Sequence, residues 1–575
     1  MFKIVVHFVL LIGVFYTSST GVFAQQQQQS EEAGLLPDID PQDIEIRGEF
    51  NARFPGLSRQ PILGFNPKPP VYKIDPNRMP FMESPEEIVA NIPVSVLSRP
   101  TPPSIKLMTF PRQQQLYSSF GFGRFSSPEG QLHGNYQLSE NAGVMLSGNY
   151  QSSDGHFDTP QTSFRFFDAK ADYFWHPAEN KTVRISAGGL SDFNHTFDVG
   201  NAGFLPETPE KEYTGFNAGI SYQTVENSFT GWKLNAGINI FNTDLLAQQL
   251  SGENDEQVYS LDISRRWAGR NLNEVFDVAI SGKLANYDTQ STSDDNWSTL
   301  KGRIAYKRTL SFNTTLDLAA KAYFTDNEIE DSEFFILPDI TVTQWFGDKL
   351  KATLVARGDV KARSNREHHN INRFLQTSND IQHTRMLEAK LNLDYELKEG
   401  TILRGGFSYI DAEDHAFYLR PGIRGQANLG FYQAFYGDFS IIKGFAGFTH
   451  HLVPERFWFD ITATLQNRDL ESDDFSNLDE MPFTENFNTK ATLYFDSGKS
   501  FKADVWANVA SSSFSPQTTQ DLDSYFLLGL RADYTFGKHL GVYIKGVNLL
   551  NESYQVWQGY EERPIEIYGG ITVRL

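Results

Sequence analysis

The side chains able to hold an ion sit in a few long connections of this sequence. Glu367, His368 and His369 stand together, with His383 a little further on, and imidazole with carboxylate is a transition-metal donor set. In an exposed loop such a cluster is ordinarily solvated, so no metal site is assigned. Two acidic groups, Asp326, Glu328, Glu330, Asp331 and Glu333, and Glu471, Asp473, Asp474, Asp479 and Glu480, carry the hard oxygens that suit Ca²⁺. Their spacing is not that of an EF-hand, and they read as solvated loops. There is no Ser/His/Asp order, glycine-rich phosphate loop or HExxH motif. The chain is therefore read as a non-enzyme that needs no cofactor.

A larger charged population recurs at every second position. Lys351, Arg357 and Asp359 alternate with Leu350, Ala352, Leu354, Ala356 and Gly358; Glu388, Lys390 and Asp394 alternate with Leu387, Ala389, Leu391, Leu393 and Tyr395. Asp317 and Lys321 interleave with Leu316, Leu318, Ala320 and Ala322, and Arg531 and Asp533 with Phe526, Leu528, Leu530 and Ala532. Period two is the signature of a strand with unlike faces. A water-soluble barrel buries its apolar face inside. Here recurrent charge on the other face fits lipid outside and water inside, so these ten charged residues are expected to face a lumen. The last strand repeats the pattern: Ile567, Gly569, Ile571, Val573 and Leu575 share the lipid face, Tyr568 and Gly570 the opposite one. The segments are about ten residues long, as a tilted bilayer-crossing strand requires. The fold class is all-β, a transmembrane antiparallel barrel of about 22 strands.

Composition agrees. Aromatics make up 14%, net charge is −21 and there is no cysteine; mean hydropathy is −0.40. The charge argues against nucleic acid or anionic lipid as main partner, and the absence of cysteine excludes disulfides and a lipidated N-terminal Cys. Lys3, an apolar stretch from Ile4 to Phe15 and Val22-Phe23-Ala24 form a signal peptide, 1–24, cleaved before Gln25.

The next part, 25–112, is proline-rich: of 26 prolines, 15 lie from Pro37 to Pro111. Proline lacks the ladder N–H, so an extended periplasmic or lumenal segment is expected, with one short helix starting at Ser84-Pro85. From 113 to 575 the barrel follows. Short connections such as Lys398-Glu399-Gly400 and Gly537-Lys538-His539 alternate with long ones near 190–211, 243–257, 364–385, 411–434, 469–486 and 551–563. Short turns belong to the periplasm and long loops to the exterior, so an even strand number puts both termini in the periplasm. Phe174, Trp175, Trp267, Trp345, Phe346, Phe495 and Tyr534 gather at the short-turn ends as an aromatic girdle.

The run Val542-Tyr543-Ile544-Lys545-Gly546-Val547-Asn548-Leu549-Leu550-Asn551-Glu552-Ser553-Tyr554, then Gly559-Tyr560 and Arg563-Pro564, closes with Ile567-Tyr568-Gly569-Gly570-Ile571-Thr572-Val573-Arg574-Leu575. It resembles the end of a TonB-dependent receptor barrel. The match is close over about 35 residues and, through the strand number, loosely covers the barrel. The chain departs in two places: Leu575 stands where such barrels end in an aromatic, and the segment before the barrel contains no elements for the family's plug. Asp43, Ile44, Glu45 and Ile46 form one TonB-box-like strand. The resemblance implies a Gram-negative outer membrane, lipid and the barrel-assembly machinery as partners, and transport. Two functions stand side by side: a porin-like passage for a hydrophilic solute, or a structural barrel that scaffolds an envelope complex through a periplasmic or outer-membrane partner protein.

Overall fold

The period-two segments close into one sheet. The structure, a computed structural model, describes residues 115–575 except 158–160, 196–208, 227–229, 248–249, 270–272, 290–295, 328–331, 377–380, 421–430, 472–477, 479 and 517–520. The expected signal peptide, the proline-rich segment with its helix, and Asp43 to Ile46 lie outside the described residues. Twenty-two antiparallel strands, each bonded to its neighbours in the chain, run from Leu116–Gly123 to Glu566–Arg574. The first and last pair with each other, Tyr117 opposite Arg574 and Gly123 opposite Tyr568, so the sheet has no free edge. A small hairpin, Gln555–Trp557 with Tyr560–Glu561, stands apart in a long connection.

The two faces separate as an outer-membrane barrel requires. Phe334 and Ile336 are 65% and 69% exposed, while Leu337, the next residue, is 1% exposed. Ile304, Leu465, Phe407 and Leu284 are likewise bare on the outside. Such a band of apolar side chains is costly in water and favourable in lipid. Among the described residues no helix is long and apolar enough to cross a membrane; the strands are the crossing elements. In the closing strand Ile567, Ile571 and Leu575 are exposed, and Tyr568 and Thr572 are buried. Gly537, at φ +63°, reverses the chain in one of the short turns.

At the seam, side chains reinforce the backbone. Tyr543, on Leu540–Val547, donates its hydroxyl to Glu129 Oε1 (2.8 Å), and Lys545 Nζ lies 2.7 Å from Oε2. Glu129 belongs to Ser127–Ser139, three strands further round, so both side chains reach over the first and last strands. Glycine makes this possible. A Cβ on Gly121 would lie 2.1 Å from the Tyr543 hydroxyl, and one on Gly570 2.4 Å from its ring.

Two sequence expectations are corrected here. The connection 243–257 is not a long loop: Gly231–Ala247 and Leu250–Ala268 pair out to Ala247 opposite Leu250. The polar stretch continues the ladder beyond the apolar band because flanking strands still pair with it, Glu212 opposite Asp244. Phe174 is buried under the Arg184 guanidinium and is not in the outer girdle. Adjacent strand residues point to opposite faces, so only Trp175 of that pair is outside.

Candidate functional site: a mouth closed by the segment 362–376

Between Leu350–Lys361 and Thr384–Lys398 the chain forms a short helix, Asn365–Ile371. Ser364 caps it by accepting from the Glu367 N–H at 3.2 Å. A second acceptor lies on the wall: Glu256, on Leu250–Ala268, takes the N–H groups of Asn365 (2.7 Å) and Arg366 (3.3 Å). A carboxylate at these unsatisfied donors is the favourable charge for a helix start.

The helix then joins two walls. On one side, Asp192 of Lys181–His195 accepts from His369 Nε2 (3.0 Å) and Arg373 Nη2 (2.6 Å). Tyr213, on Glu210–Thr224 and fully buried, packs against the His369 ring at a tilt of 38°, centroids 3.4 Å apart, and donates to the Arg373 carbonyl at 2.9 Å. On the other side, His368 bridges the hydroxyls of Tyr418 (3.0 Å) and Tyr436 (3.2 Å), on Thr401–Leu419 and Gln433–Val453. These strands are the fifth and sixth, and the fifteenth and sixteenth, of the 22 in the ring. The segment therefore links nearly opposite walls.

It continues as packing. Gln376 N–H donates to Tyr432 O (2.7 Å) and Tyr432 N–H to Phe374 O (3.0 Å). Phe374 stacks on Tyr560 at 3.5 Å, and the Tyr432 hydroxyl donates to the Gln558 carbonyl at 2.9 Å. Leu375, Tyr418, Tyr432, Phe483, Leu522 and Tyr560 make one buried cluster at this end. Beside it lies a cavity of about 270 Å³, bordered by His156, Asn194, His195, Arg373, Trp557 and Glu562.

Burial shapes the electrostatics. It drives His368 down to about 3, with the Arg363 charge adding to the effect. It drives His369 down to about 4, although the hydrogen bond to Asp192 opposes it. Both rings are thus neutral near neutral pH. His369 donates its Nε2–H to Asp192, and its Nδ1 is left without a partner.

Of the histidines expected in an exposed loop, His368 and His369 are buried in the helix and His383 is buried outside it. Both ring nitrogens of His368 are engaged by tyrosines, and His383 packs edge-on against Trp297 at 4.8 Å. Among the described residues no group of three His, Asp or Glu is placed to hold a metal ion. Of the acidic loops, Glu328, Glu330, Asp331, Asp473, Asp474 and Asp479 lie outside the described residues.

The alternating charges form ladders on the face opposite the apolar band. Lys321, buried, lies 3.1 Å from Asp339, 3.6 Å from Asp359 and 3.2 Å from the Gly358 carbonyl. Arg357 reaches Asp339 at 3.5 Å and Lys301 reaches Asp359 at 3.7 Å, while Tyr323 donates to Asp359. Arg357 stands opposite Glu388, Lys351 opposite Asp394, Lys390 opposite Ser408 and Asp317 opposite Lys307. Arg531 grips Asp533 through two bonds, 2.9 and 3.1 Å. Sequence reasoning overlooked the mouth residues Asp192, Tyr213, Glu256, Tyr418 and Tyr432. The one local signal was Ser364-x-x-Glu367, a capping-box spacing that marks a helix start.

A closed 22-stranded antiparallel barrel with an apolar outer band is a transmembrane β-barrel. Solved structures share this architecture. The FrpB iron transporter from Neisseria meningitidis matches with a TM-score of 0.65 and 9% identity, over 81% of this chain and 82% of that one. The copper transporter OprC matches at 0.62 and 10%, over 81% of each chain. The siderophore receptor PirA from Pseudomonas aeruginosa matches at 0.58 and 12%, again over 81% of each. Identity this low speaks for the fold alone. No family profile and no curated protein matches the sequence.

Proposed function

We propose that this barrel transports a hydrophilic solute across the outer membrane, and that the segment 362–376 is the constriction through which the solute is selected. The observation that carries it is the link between opposite walls through His368, His369 and Arg373. A barrel this wide leaves an open lumen unless something fills it, and this segment narrows it at the long-loop end. Lys351, Arg357, Asp359, Glu388, Lys390, Asp394, Asp317, Lys321, Arg531 and Asp533 line the lumen as a hydrated, charge-paired surface. Both termini are periplasmic, 1–24 is removed on export, and 25–112 lies in the periplasm or lumen, where Asp43 to Ile46 serve as a contact for energy coupling. The barrel-assembly machinery inserts 113–575.

Bilayer recordings test this. Deleting 364–376 should leave a heat-modifiable folded barrel with larger single-channel conductance; an unchanged conductance in the folded variant sinks the constriction. Residues packed so fully across the mouth also favour a second reading, a scaffold barrel in an envelope complex. Affinity isolation from native membranes separates the two: a stoichiometric partner together with no solute passage supports the scaffold.

A further inference from the structure

The cavity beside the segment 362–376 is walled by parts of the chain far apart in sequence. Arg373 and Phe374 come from the segment itself, Phe164 from the start of Phe164–Ala178, and Trp557, Glu562 and Arg563 from the last long connection. Its volume is about 270 Å³. A cavity of about 150 Å³ encloses one benzene ring, so this one has room for a six-membered ring with its substituents. The wall combines aromatic rings with hydrogen-bonding groups.

The rings are held in place by other rings. Trp557 meets Tyr432, Phe483 and Tyr418 at 5.2, 5.5 and 5.7 Å between centroids, and Phe374 stacks on Tyr560 at 3.5 Å. The Phe164 ring carries the Arg373 guanidinium at 5.3 Å and the Arg563 guanidinium at 4.8 Å, so one ring ties both cations to the same part of the wall. Each cation already has an acid. Arg373 Nη2 lies 2.6 Å from Asp192 Oδ1, and Arg563 Nη1 lies 2.5 Å from Glu566 Oε1. Burial pushes the Glu562 carboxyl above the ordinary range, against the attraction of Arg563 and Arg373. A solute with net charge would have to break one of these pairs and leave a charge uncompensated, which is costly. A hydroxyl would not. With one donor and two acceptor lone pairs, it accepts from a guanidinium N–H that the pair leaves over while it donates to a carboxylate. Several hydroxyls on a ring with C–H faces satisfy both parts of the wall, the aromatic rings by contact and the charged groups by hydrogen bonds.

We propose that this cavity binds one neutral sugar ring, free or at the end of an oligosaccharide, against Trp557, with its hydroxyls shared between Glu562 and the guanidiniums of Arg373 and Arg563. This deepens the transport reading above and rests on it: the solute class is a neutral carbohydrate. Arg373 and Phe374 belong to the segment across the mouth, so a bound sugar also stabilises that segment in its docked position.

Calorimetric titration of the purified, folded full-length barrel with D-glucose, D-galactose, N-acetylglucosamine and maltotriose tests it, with citrate and spermidine as charged comparators. At least one sugar should bind. Glu562→Gln and Trp557→Ala should each weaken it by about tenfold, the scale of a lost charged hydrogen bond or aromatic contact. Trp557→Phe, which keeps a ring, should retain part of the affinity, and Lys502→Gln, remote at a short turn, should change nothing. Heat-modifiable mobility reports folding of each variant. Hydrogen exchange of 362–376 should slow when the sugar is bound. Binding of a monosaccharide supports a free sugar, and binding of maltotriose alone supports an oligosaccharide end. If no sugar binds wild type, if a charged comparator binds in place of the sugars, or if Glu562→Gln and Trp557→Ala bind as wild type does, the proposal is overturned. Binding is read without flux, so binding without conductance sinks the transport reading alone, and conductance without binding sinks this one alone.

Discussion

In the wall, Lys321 meets Asp339 and Asp359 on the next two strands; in the mouth, Asp192 meets Arg373 from 181 residues away. Both arrangements surround a buried charge with opposite charge. In the wall the partners follow from strand register, and the ladder of backbone bonds already holds them in place. In the mouth a single backbone bridge, Leu375 to Tyr432, holds the end of the segment 362–376, and the rest of its placement depends on side chains. The lesson is that the barrel should tolerate disruption of its mouth, while the mouth cannot survive loss of the barrel.

Substitutions that respect one region and not the other break this contrast most directly. The largest effect belongs to the wall's outer face: Ile571→Arg should destabilise the barrel by about 2–4 kcal/mol, as an arginine near mid-depth does. Arg574→Gln, on the other face, should be mild. Equal loss of folded barrel in urea titrations of the two variants would mean that the faces are reversed.

Next comes the inner face. Lys321→Met leaves Asp339 and Asp359 facing each other without their cation. The cost should be about 2 kcal/mol, below that of a fully buried pair because Asp359 keeps contact with water. A stability equal to wild type would make the ladder ornamental.

The mouth should respond to acid when the wall does not. His369 and His368 are held down to about 4 and 3, against an ordinary 6.5. A released segment therefore takes up protons that the docked one refuses. Docking is complete above pH 6.5 and is lost as the pH falls toward those lowered values. Hydrogen exchange of 362–376, corrected for intrinsic rates, should speed up between about pH 7.5 and pH 5 while barrel strands stay protected. Slower exchange in acid would contradict the neutral histidines.

The smallest effect is at the cap. Ser364→Ala removes the acceptor for the Glu367 N–H and should cost the helix about 1 kcal/mol. Exchange should rise in 365–371 with no change in barrel unfolding; a shift in global stability would show that mouth and wall are one cooperative unit.

Most of the wall was legible in the sequence, because lipid and water impose a period that survives in single residues such as Ile567, Tyr568 and Ile571. The mouth was not. Tyr213 and Tyr418 look like any strand aromatic, and only folding brings both against one helix. The histidines read as an exposed cluster because nothing local announces burial. The arms around 243–257 read as a loop because beyond the membrane a strand no longer needs apolar residues on its outer face.

The strap at the seam bears on error control during barrel closure. A slip of two residues between the first and last strands would keep every apolar side chain facing lipid, so the membrane could not detect it. It would, however, carry Glu129 about 7 Å along the strand, out of reach of Tyr543 and Lys545. A slip in one direction would also bring Ser119, two residues before Gly121, under the tyrosine ring. Tyr543, Lys545 and the two glycines thus act as a proofreading device for register, at the one junction that no turn of the chain can enforce.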